Sequence, residues 1–88
     1  LAQIGGLEAE LRSLGLRQLR VRWHAAGATG AMARIEVAPG ELAHAFEVRD
    51  AMVKAGKRFG FAFVTLDLQG YRTGSHNEVL VGKSLRVV

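Results

Sequence analysis

The sequence predicts an α+β fold: a two-layer sandwich of order α-β-β-α-β(-β), with two helices on one face of a small mixed sheet, a ferredoxin-like variant. Three observations predict it. The apolar period changes from helical to strictly alternating near Leu16. A second alternating run then leads into Pro39-Gly40-Glu41 and a long amphipathic stretch. Finally, residues 61–68 form a near-continuous apolar, β-branched run.

Each element follows from its residues. In residues 2–14, Ile4, Leu7, Leu11 and Leu14 share one helical face while Glu8, Glu10 and Arg12 turn outward. Gly15 supplies the C-terminal stop. Over residues 16–25, Leu19, Val21 and Trp23 alternate with Arg20, Arg22 and His24, the repeat of a half-buried strand, which makes Trp23 a core residue. Residues 26–30, rich in Gly and Ala, form a turn. In residues 31–37, Ala33, Ile35 and Val37 face one way and Arg34 and Glu36 the other. The second helix runs to about Arg58, with Leu42, Ala45, Phe46, Met52, Val53 and Phe59 as its buried stripe. Acidic residues at its start and Lys54, Lys57 and Arg58 at its end match the helix dipole, and Gly60 ends it. Residues 61–68 read as a central strand covered on both faces, residues 70–77 as a polar loop, and residues 79–88 as a last edge strand.

Eighty-eight residues make one domain, 1–88, with one core and little room for a deep active site. There is no cysteine, which removes disulfides, thiolate metal sites and thiol catalysis, and fits a cytoplasmic setting. No apolar run approaches the roughly 18 residues of a membrane span, and no signal peptide is visible. The chain begins with Leu1 rather than Met and reads as part of something longer. Twelve Lys and Arg against eight Asp and Glu give a net charge of +4, which favours anionic partners.

Two groups of residues carry candidate chemistry. Arg20, Arg22 and His24 share a strand face with Arg34 and Glu36 of the next strand. Forked guanidinium donors match phosphate, sulfate or carboxylate oxygens. On periodicity alone the same face reads more simply as a solvated surface of weak cross-strand pairs. The loop Gly70-Tyr71-Arg72-Thr73-Gly74-Ser75 could present backbone N–H groups and Arg72, Thr73 and Ser75 to an anion, or be an ordinary polar turn. It matches neither GxxxxGK[ST] nor GxGxxG. Asp67 and Glu78 are structural partners for Arg72. His24, His44 and His76 have no spacing for a metal site. Glu36 among the arginines, and the lack of a stacking pair of aromatics, weigh against nucleic acid.

Three blocks together resemble a known family. They are Leu16-Arg17-Gln18-Leu19-Arg20-Val21-Arg22, then Ala33-Arg34-Ile35-Glu36-Val37, then the run from Phe63 to Leu80 that contains VTLDL and GYRTGSHNEVL. They look like the C-terminal domain of LarE-type ATP-dependent sacrificial sulfur transferases, members of the PP-loop superfamily. The last block is the specific part. The resemblance implies an enzyme that adenylates a carboxylate of a pyridinium mononucleotide and then transfers sulfur to it, on the way to a nickel-pincer cofactor. It implies that ATP and Mg bind a PP-loop domain outside this chain, that catalysis resides there, and that this chain alone holds no cofactor. By motif match it gives basic roles towards an anionic, mononucleotide-like substrate to Arg20, Arg22 and Arg72, and acidic roles to Glu36 and Glu8. Ser75 joins them from the loop. It further implies homo-oligomer contacts. His76 and Gln69 depart from the usual pattern. The alternatives are a stand-alone ferredoxin-like module that binds an anionic ligand or nucleic acid without catalysis, and a pure oligomerisation domain.

Overall fold

Helix α1 (Ala2–Ser13) leads into strand β1 (Leu19–Ala25), a 3-10 turn (Gly27–Thr29) and strand β2 (Ala31–Val37). A second 3-10 turn (Pro39–Glu41), helices α2 (Leu42–Glu47) and α3 (Arg49–Arg58) and strand β3 (Phe63–Leu66) follow. The structure, a computed structural model, describes residues 2–71. The expected strand over residues 79–88 lies outside the described residues, as do Arg72, Ser75, His76 and Glu78. The order is β1-β2-β3, with β1 antiparallel and β2 parallel to its neighbour, so the sheet is mixed and the fold α+β. The parallel pairing needs the crossover that α2 and α3 supply.

The helices cover one face. Leu7 and Leu11 of α1, Val21 of β1, Ala33, Ile35 and Val37 of β2, and Ala45, Met52 and Phe61 form the core. Full burial of a Leu or Ile here contributes about 1.5–3 kcal/mol. Two glycines allow the layers to close: a Cβ on Gly56 of α3 would collide with Val64 of β3, and one on Gly6 of α1 with Phe59. The layers are tied at their ends. Gln3 donates to the Phe59 carbonyl (2.8 Å), and Arg58 pairs with Glu10.

Three expectations are corrected. The long helix is two, broken at Val48 (φ −99°, ψ 17°), with the Arg49 guanidinium donating to the Phe46 carbonyl at the break (2.8 Å). Phe46 and Val53 are exposed (60% and 40%) while Ala45 and Met52 are buried: each exposed residue follows a buried one and so sits about 100° round the helix from the line that faces the core. Trp23 keeps the alternation yet is 45% exposed. Trp23 lies towards the end of β1, which among the described residues is an edge strand with a neighbour on one side alone. Lastly, β3 is shorter than its apolar run, and Phe63 and Thr65 are exposed rather than covered. Among the described residues β2 is the middle strand and β3 pairs on one side. No helix of the described residues is long and apolar enough to cross a membrane.

Candidate functional site

The face of the sheet away from the helices carries the polar half of each strand's alternation. Register places Arg20 opposite Glu36, Arg22 opposite Arg34, and His24 opposite Met32. On the other side of β2, Arg34 stands opposite Thr65 and Met32 opposite Phe63. Two arginines directly opposite repel. Glu36 offsets this: its Oε2 lies 3.1 Å from Arg34 Nη2 and 3.7 Å from Arg22 Nε, and its side chain is only 11% exposed. Asp67 Oδ2, just past β3, lies 3.9 Å from Arg34 Nη1. The Arg34 Nε and the His24 Nε2 are buried without a hydrogen-bond partner among the described residues.

Arg22 and Arg34 are thus balanced by Glu36 and Asp67, two charges of each sign. Arg20 is not. Among the described residues its guanidinium has no carboxylate within 4.0 Å and instead lies over the Tyr71 ring, 4.8 Å from the centroid, with Nη2 donating to the phenol oxygen at 3.3 Å. Tyr71 is fixed by its own N–H, which donates to the Val37 carbonyl (2.6 Å). The chain reaches it through Gly70 at φ +83°, where a Cβ would sit 2.6 Å from the same carbonyl.

The structure brings Arg20, Arg22 and Glu36 together on this face. Glu8 stands elsewhere, at the outer edge of β1, where its carboxylate accepts the Val21 N–H (3.0 Å). Asp67 faces Arg34, and its Oδ1 accepts the Gln69 N–H (2.9 Å). Tyr71 is part of the loop singled out in the sequence but carries no role there, because it belongs to no periodic element and its partner Arg20 is 51 residues away. Arg34 was placed on the face by alternation, but its contacts with two carboxylates depend on the register between strands.

A second carboxylate is committed to structure. Glu41 accepts the N–H groups of Arg17 (2.7 Å) and Gln18 (2.9 Å), and these bonds to the ionised form hold its pKa below the usual 4.5. No group of three His, Cys, Asp or Glu among the described residues is placed to hold a metal ion. A shallow groove lies between α3 and β3, lined by Met52, Val53, Val64 and Leu66 with Arg49 and Thr65.

No protein-family model matches the chain. Two curated proteins do resemble it over nearly all its length. Pyridinium-3,5-bisthiocarboxylic acid mononucleotide synthase of Lactiplantibacillus plantarum is 35% identical over 85 residues, covering 97% of this chain. Over this segment the chain is similar to a LarE-type protein. An uncharacterised protein of Synechocystis sp. is 39% identical over 84 residues, covering 91% of the chain. The chain spans 29% of the length of each of these relatives.

Proposed function

We propose that this chain is the substrate-handling domain of a LarE-type sulfur transferase of cytoplasmic nickel-pincer cofactor biosynthesis, and that the helix-free face of its sheet binds the anionic groups of a pyridinium carboxylate mononucleotide. The observation that carries the reading is the charge arrangement. Glu36 and Asp67 pair with Arg22 and Arg34, and Arg20 beside them has no carboxylate partner among the described residues. A phosphate and ring carboxylates suit such forked donors. In this reading Arg72 and Ser75, outside the described residues, complete the donor set by motif match, and Glu8 supports it by fixing the edge of β1.

Activation of the carboxylate and donation of sulfur belong to another part of the parent protein. The chain has no SGGxDS-like motif for ATP and no cysteine to give up sulfur. The residues of this chain bind and orient. Arg20 and Arg22 neutralise the substrate's negative charge, and Glu36 keeps Arg22 from swinging away. The PP-loop domain is the partner that would complete the enzyme, and the domain adds contacts to a homo-oligomer.

Calorimetric titration of the chain with nicotinic acid mononucleotide tests the reading. Arg20→Ala and Arg22→Ala are each expected to weaken binding about tenfold, the loss of one charge-assisted pair. Binding that is indifferent to both substitutions sinks the proposal.

A further inference from the structure

We infer that Tyr71 is a positioning residue of the anion site, holding the Arg20 guanidinium so that its outer N–H donors are presented to a carboxylate or phosphate. The inference rests on the reading of this face as an anion site and names the group that sets its geometry.

Strand register predicts a different arrangement. Arg20 stands directly opposite Glu36, where a cross-strand ion pair is expected. The Glu36 carboxylate is instead engaged by Arg22 and Arg34. Arg20 is displaced to the end of β2, onto the Tyr71 ring. A guanidinium over an aromatic face gains cation–π attraction and gives up none of its edge donors to the ring. Arg20 uses one Nη2 donor on the phenol oxygen, which leaves others for a ligand. The platform itself is rigid. Its backbone N–H is tied to Val37, the residue after Glu36, and Gly70 allows an approach that a side chain would block. Tyr71 therefore fixes a long, flexible side chain that would otherwise lose rotamer freedom on binding.

The test uses the 88-residue chain with inorganic phosphate and, in parallel, nicotinate as probes, followed by NMR. The Arg20 Nε–Hε signal is expected to carry a ring-current shift that Tyr71→Leu abolishes while β1 and β2 amides stay in place. Tyr71→Phe, which keeps the ring, is expected to bind within about twofold of wild type, and Tyr71→Leu about tenfold more weakly. Loss in either arm supports the inference, and the arm that shows it names the oxyanion. Wild-type affinity in Tyr71→Leu overturns the inference. If Tyr71→Leu does not fold, the wild-type Arg20 signal decides, and an unshifted Hε overturns it. Weakening by Arg20→Ala without weakening by Tyr71→Leu removes only the role of Tyr71. No phosphate or nicotinate binding by wild type removes the anion site and this inference together.

Discussion

The two faces of the sheet are built from the same strands, one residue out of step, and they differ in almost every other respect. Leu19, Val21, Ala33, Ile35 and Val37 face the helices and are buried. Arg20, Arg22, Arg34 and Thr65 face away and keep charge or polarity at partial or full exposure. The covered face is held by close packing, down to a glycine where a methyl group would not fit. The open face is held by a small number of directional contacts centred on Glu36. Packing energy is non-directional and summed over many atoms, whereas ion pairs at a half-exposed surface contribute little stability and much geometry. Substitutions on the two faces are therefore expected to separate stability from ligand binding.

The largest effect should come from the covered face. Ile35→Ala is expected to lose about 3 kcal/mol in chemical denaturation, since Ile35 is fully buried in the middle strand. Gly56→Ala is next, at about 1–3 kcal/mol, because the new methyl group would collide with Val64, a β-branched side chain that is stiff at χ1. The double substitution with Val64→Ala should recover part of that loss, and a purely additive pair would contradict the packing account. On the open face, Glu36→Ala should cost about 1–2 kcal/mol, because it leaves Arg22 facing Arg34 with no carboxylate between them. A double-mutant cycle with Arg34→Ala should show coupling between the two.

Glu41 provides a smaller effect with a defined pH dependence. Its folded pKa lies below its unfolded value, so its contribution is fully present above about pH 4.5 and fades as pH falls through the folded value. Glu41→Gln should thus destabilise by less than about 1 kcal/mol at pH 7, and the gap from wild type should narrow as the pH falls below about 4.5. A gap that grows on acidification would reverse the sign and contradict the account. The smallest change in stability is expected for Arg20→Ala, within about 0.5 kcal/mol, although it should weaken anion binding most.

Much of this organisation was legible in the residues themselves. Alternation marks β2 residue for residue, and the stripe of Leu7 and Leu11 marks the buried side of α1, because both signals are local and periodic. Non-local features were not legible. The break at Val48 carries no Pro or Gly to mark it, and Phe46 reads as core because it is apolar and adjoins the buried line of Ala45 and Met52. The exposure of Trp23, towards the end of a strand that is an edge among the described residues, goes with strand order, and alternation says nothing of that. For the site, alternation placed Arg20, Arg22, Arg34 and Glu36 on one face. The choice of partners, with Glu36 between Arg22 and Arg34 and Arg20 on Tyr71, requires the register and the turn at Gly70.

The most direct test of the division between the faces is amide chemical-shift mapping of the chain titrated with nicotinic acid mononucleotide. The account predicts saturable shifts concentrated at Arg20, Arg22, Arg34, Glu36 and Tyr71, with the amides of α1 and α3 unmoved. Shifts concentrated instead at Met52, Val53 and Leu66, in the groove between α3 and β3, or no saturable shifts at all, would contradict it.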